Sequence, residues 1–91
     1  MKEHELFLPR FSKQSGNCLL ISWLKDLDCA VRENEAVLLF ESQKASMYLY
    51  SPVTGTLIRK NAVAGQWWSV EKPVAVIQVD NESIPEKPNA G

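Results

Sequence analysis

No stretch of this chain sustains a helical period, and no apolar run approaches the roughly 20 residues of a membrane-spanning helix. Charge of a single sign is missing as well. Ten Lys and Arg are scattered among eleven Asp and Glu, for a net charge of -1. That balance offers no basic footprint for nucleic acid and no charge-rich route to disorder. Cysteine is scarce: Cys18 and Cys29 are too few and too far apart for a disulfide framework or a four-ligand zinc site. Reduced thiols in a cytosol or a mitochondrial matrix are the expectation, and the N-terminus lacks the charged-then-apolar pattern of a secretory signal. The one histidine, His4, sits in a polar N-terminus and reads as a surface residue rather than a base. Cys18 lies in an apolar run and reads as small core filler. No serine, cysteine or carboxylate pair has the neighbours that acyl transfer or hydrolysis needs, so the isolated chain is not expected to be an enzyme.

What is present is a series of short apolar runs separated by turn residues. Ninety-one residues suit one domain with a modest core. Residues 1–5 are polar and expected to fray. Leu6-Phe7-Leu8-Pro9 reads as a first strand stopped by proline, and residues 10–17 as a polar loop. Residues 18–24 read as a strand, Ala30-Val31 as a brief one, and residues 37–40 and 47–50 as two more. Only four glycines are available. Asp28 and Asn34 tolerate left-handed backbone and are expected to do a turn's work in their place. Ser51-Pro52-Val53-Thr54-Gly55 is a turn signature, with Gly55 expected to supply a positive torsion. Residues 56–59 and 74–79 read as later strands. Successive side chains on a strand face opposite ways, so Trp68 is expected inside and Trp67 partly exposed. Residues 81–91, with two prolines and no apolar pattern, read as linker or tail after a domain of residues 1–80.

Turn signals every eight to twelve residues point to an all-β sandwich or barrel. The halves also resemble each other. A shift of 37 lays Leu20-Ile21 on Leu57-Ile58, and Val37, Leu39 and Phe40 on Val74, Val76 and Ile77. Asp28 falls on Gly65 at the same shift. Two similar antiparallel halves about an approximate two-fold axis are the expectation.

Between the runs at 37–40 and 47–50 lies Glu41-Ser42-Gln43-Lys44-Ala45-Ser46, read as a tight hairpin with Lys44 at its tip. A lysine so placed keeps a reactive amine in water among small or polar neighbours.

That hexapeptide, followed by Ser51-Pro52-Val53-Thr54-Gly55, resembles the biotinyl/lipoyl attachment domain and more narrowly its lipoyl branch. Gly65-Gln66-Trp67-Trp68-Ser69-Val70 and Pro73-Val74-Ala75-Val76-Ile77 fall in line downstream, and Ser22-Trp23-Leu24 upstream, so the resemblance covers residues 6–79. It implies a flattened barrel or sandwich of two four-stranded antiparallel sheets, with the modified lysine on an exposed hairpin. Biotin carriers place methionine on both sides of the lysine, where this chain has Gln43 and Ala45. Ala45 agrees with the lipoyl pattern; Gln43 departs from its usual aspartate, which bears on partner recognition more than on attachment. Two turn glycines of the family are replaced by Asp28 and Asn34.

The resemblance implies lipoate in amide linkage to Lys44. Glu41, Gln43, Ala45, Ser46 and Tyr48 are the candidate recognition flank; Tyr48 and Tyr50 can equally be ordinary strand residues, a reading that suits Tyr50 better. The implied partners are a lipoate ligase or lipoyl transferase, a 2-oxo acid decarboxylase, the acyltransferase core and dihydrolipoyl dehydrogenase, with no nucleic acid and no membrane. It places the chain at the N-terminus of a dihydrolipoamide acyltransferase, in a bacterial cytoplasm or a mitochondrial matrix. The alternatives are a biotinyl or aminomethyl carrier, or an unmodified binding module of the same fold.

Overall fold

The computed structural model describes residues 2–9, 16–42 and 45–79. Every regular element among them is a strand: β1 (Lys2–Leu6), β2 (Asn17–Trp23), β3 (Ala30–Val31), β4 (Ala36–Glu41), β5 (Ser46–Tyr50), β6 (Gly55–Lys60), β7 (Trp67–Ser69) and β8 (Ala75–Val79). They form two four-stranded antiparallel sheets, β1-β8-β6-β3 and β5-β4-β2-β7, which stay open rather than closing into a barrel. Advancing each strand by four places turns one order into the other. The expected fold, a flattened two-sheet sandwich with approximate two-fold symmetry, is what the chain adopts.

The symmetry reaches individual hydrogen bonds. The Asp28 N–H donates to the Leu57 carbonyl at 2.7 Å, and the Gly65 N–H to the Leu20 carbonyl at 2.7 Å. Leu57 donates to Cys29, as Leu20 does to Gln66, both at 3.0 Å. Even the irregularities repeat. The register of β2 on β4 slips between Leu20 and Ser22, and that of β6 on β8 between Leu57 and Arg59. A bulge sharpens twist and re-aims side chains, so each sheet bends at the same place. Lys60 and Trp23, equivalent under the shift, meet: the ammonium lies 5.2 Å from the ring centroid, within cation–π range.

The core lies between the sheets. Leu20, Val31, Val37, Leu38, Phe40, Leu57, Val74 and Ile77 are all buried to 1% exposure or less. Burying each such side chain fully contributes about 1.5–3 kcal/mol. Val37 and Leu38 are adjacent and both buried, which strict alternation forbids. A register slip of β4 on β5 between Ala36 and Leu38 resolves this. Trp67 is 61% exposed, whereas Trp68 packs partly buried against the core and donates its indole N–H to the Lys72 carbonyl at 3.1 Å.

Two expectations need correction. The first strand is Lys2–Leu6, not residues 6–9, so residues 2–5 are paired rather than frayed. Polar side chains hid this strand, because an edge strand is held by its backbone ladder to one neighbour. Here Glu3 faces Gln78 and Glu5 faces Val76, with Leu6 as the buried anchor. Gly55 does not supply a positive torsion; among the described residues those with positive φ are Asp28, Asn34 and Gly65. Its reason is steric. A Cβ there would stand 2.1 Å from the Gln78 carbonyl oxygen on β8. The turn before it is shaped by buried Ser51, whose hydroxyl donates to the Val53 carbonyl and accepts the Val53 N–H.

Candidate functional site

The β4–β5 hairpin is built as the sequence suggests. Its last facing strand pair is Glu41 with Ser46. Beyond it the Ser42 N–H donates to the Ala45 carbonyl at 2.9 Å, and the Ser42 hydroxyl reaches the same oxygen at 3.3 Å. Ser42 is buried, at 9% exposure, so it closes the hairpin from beneath. Gln43 and Lys44 join Ser42 to Ala45 and lie outside the described residues. At the other end of β5, the Ser51 N–H donates to the Glu35 carbonyl (2.9 Å) and the Asn34 N–H to the Ser51 carbonyl (2.6 Å). Left-handed Asn34, at φ 71°, shapes the turn that makes this possible. The hairpin is thus tied at both ends by backbone.

Its position in the fold is informative. Pairing of β5 on β4 repeats that of β1 on β8: Tyr48 faces Leu39 as Glu5 faces Val76, and Ser46 faces Glu41 as Glu3 faces Gln78. In one half the strands are joined by the lysine-bearing connection. In the other, the described chain enters at Lys2 and leaves after Val79, which face each other. The connection between β4 and β5 and the two ends of the described chain therefore occupy symmetry-equivalent sites.

Of the residues expected to form a recognition flank, Glu41, Ala45, Ser46 and Tyr48 are all exposed, Tyr48 at 51%. They are gathered on one hairpin. Tyr50, expected to be an ordinary strand residue, is 54% exposed, and its ring lies 6.3 Å from that of Tyr48. Sequence reasoning missed what surrounds these tyrosines. Across the outer face, Ser46, Glu41, Leu19 and Trp67 stand in one row of facing residues, and Tyr48, Leu39 and Ser22 in the next. The signal was available in β5 itself, whose five residues carry no charge.

The remaining chemistry-bearing groups stand elsewhere. Cys18 is buried, and that burial pushes its thiol above the usual range, away from nucleophilic reactivity. Cys29 is an exposed free thiol. His4 is half-buried on β1. Lys25 forms an ion pair with Glu35 at the end of β4 remote from the hairpin. The Lys25 ammonium, and next the Arg32 N–H at 2.9 Å, hold the Glu35 carboxyl below its ordinary value. No group of three or more His, Cys, Asp or Glu suited to a metal ion occurs among the described residues.

In comparison with known proteins, no family model and no curated protein matches the chain. The fold defines its class, a pseudo-symmetric two-sheet β sandwich, and any narrower reading rests on the hairpin.

Proposed function

We propose that this chain is a lipoyl-type carrier domain, with lipoate joined by an amide to Lys44, forming the N-terminal part of a dihydrolipoamide acyltransferase. The observation that carries the reading is the hairpin closed between Ser42 and Ala45, with a lysine among its two connecting residues. The flank fits a covalent arm. Ala45 and Ser46, which follow the lysine, are small and exposed.

When bound, the dithiolane supplies acyl transfer coupled to disulfide reduction, and that chemistry belongs to the cofactor. The chain's own residues do three simpler things. Ser42 and Ala45 close the hairpin on either side of the two residues that include the arm's attachment point. Glu41, Gln43, Ala45, Ser46 and Tyr48 present the surface that a 2-oxo acid decarboxylase, the acyltransferase core and dihydrolipoyl dehydrogenase must each fit and release. Residues 81–91, which lie outside the described residues, are the proposed linker, and tethering through it would raise the effective concentration at those partners to the order of millimolar. The complex belongs in a bacterial cytoplasm or mitochondrial matrix, and residues 1–80 are not themselves an enzyme.

Intact mass after incubation with each attaching enzyme tests the reading. A lipoyl adduct from a lipoate ligase or lipoyl transferase supports it. A biotinyl adduct in its place assigns the hairpin to another carrier. No adduct from any of them leaves an unmodified binding module of the same fold.

A further inference from the structure

A β sandwich has sheet edges that must be kept from pairing with other chains, and charge, brevity and proline are the usual means. The edges here are β1, β3, β5 and β7. Strand β3 has two residues and β7 three, too short to template a partner. Strand β1 has five, but its sequence Lys-Glu-His-Glu-Leu places charge along most of its length. Only β5 has none of these protections: Ser-Met-Tyr-Leu-Tyr is five residues long, uncharged and free of proline. The symmetry makes β1 an internal control. Where β1 places Glu3 and Glu5, β5 places Ser46 and Tyr48.

We infer that β5 pairs with β5 of a second copy of this chain, antiparallel and centred on Tyr48, joining the two β5-β4-β2-β7 sheets into one. Three observations lead there. First, the hydrogen-bonding groups that β5 leaves free among the described residues are self-complementary. Ala45 and Ser51 bond inwards, towards the β4 side. Strand alternation then turns the N–H and C=O groups of Ser46, Tyr48 and Tyr50 outwards. Antiparallel pairing about Tyr48 sets Tyr48 against its own copy and Ser46 against the copy's Tyr50, so every outward group finds a partner. Second, no like charges meet. The carboxylate beside β5, Glu41, stands next to Ser46, and pairing puts it in line with the copy's Tyr50 and Ala36, not the copy's Glu41. Third, the apolar row continues. Leu39 and Tyr48 face each other within one copy, and pairing extends the row through the second Tyr48 and Leu39. The tilted contact between the Tyr48 and Tyr50 rings becomes a cluster of four rings, the kind of cross-strand aromatic contact that stabilises sheets. Such an interface is isologous and closes on itself.

Sedimentation across a concentration series tests this on the whole chain, without lipoate, so its outcome is independent of whether Lys44 is modified. The expected result is a reversible equilibrium between 10.3 kDa and a species of twice that mass. Tyr48→Lys places two ammonium groups face to face at the centre and is expected to weaken the dimer at least tenfold. Tyr50→Pro removes an outward N–H and keeps the β4 ladder, as proline is tolerated on an edge; it is expected to weaken the dimer by a similar factor. Far-UV circular dichroism confirms that both variants fold, and Tyr48→Ser, uncharged, serves as the milder replacement if either does not. A chain that stays monomeric at millimolar concentration overturns the inference and leaves the edge to a different partner. So does growth beyond a dimer, or a dimer that survives Tyr50→Pro, which would place the contact on the tyrosine faces instead.

Discussion

The two halves of this molecule meet the same packing requirement with different residues, and the differences show where structure ends and function begins. Facing residues Val31 and Gly55 occupy one half; their counterparts are Trp68 and Cys18. Both pairs combine a small residue with a larger one, so the sheets keep their spacing although no side chain is shared. Asp28 and Gly65 both adopt positive φ, at 67° and 93°. These substitutions preserve backbone geometry. On the outer faces the halves diverge instead: Glu5 against Tyr48, and Ala30 against Trp67. Packing does not require that divergence. The half that departs carries the hairpin with the lysine, and it carries the open edge.

If the halves are mechanically equivalent, paired substitutions should cost alike. Leu20→Ala and Leu57→Ala each remove a side chain with no exposed surface, and each should lose about 2–5 kcal/mol. Chemical denaturation measures both; a difference above about 2 kcal/mol would break the equivalence. The next comparison should be unequal. Gly55→Ala drives a methyl into the Gln78 backbone and should cost about 3 kcal/mol. Its counterpart Cys18→Ala only removes a sulfur, and about 1 kcal/mol is expected from the cavity.

At the matched turn, Gly65→Val should cost about 1–2 kcal/mol for a branched residue at positive φ, whereas Asp28→Gly should gain up to about 1 kcal/mol. Thermal unfolding of the two variants gives the signs. The smallest effect concerns the Glu35 carboxyl, which Lys25 holds below its ordinary value of 4.5. A depressed folded value means the contribution is present above pH 4.5 and is lost as pH falls through the lower folded value. Glu35→Gln should therefore destabilise slightly at neutral pH, with the difference vanishing in acid. Because the pair is half-exposed, 1 M salt should shrink it too.

Much of the fold was legible because apolar periodicity and turn chemistry agree along the chain. The shift of 37 relating Leu20 to Leu57 and Phe40 to Ile77 is a sequence regularity that becomes a register regularity. Strand β1 was missed because its pairing is a backbone matter, and four of its five side chains are polar. The reason for Gly55 was misread because a close approach from β8 is tertiary, whereas a positive torsion would have been local. At the hairpin, the two paired strands that flank the lysine-bearing connection were legible from the apolar runs at 37–40 and 47–50. The open edge of β5 was not, since which strands end a sheet follows from topology and not from any one segment.

Lys44 is the proposed attachment point, and the most direct measurement compares intact and peptide-resolved masses of the wild-type chain and Lys44→Arg after identical treatment with lipoate ligase. The prediction is one lipoyl group on the wild type, located on the peptide containing Lys44, and none on the variant, with folding stability changed by less than about 0.5 kcal/mol. An adduct on a different lysine, or a variant that loses several kcal/mol of stability, would contradict it.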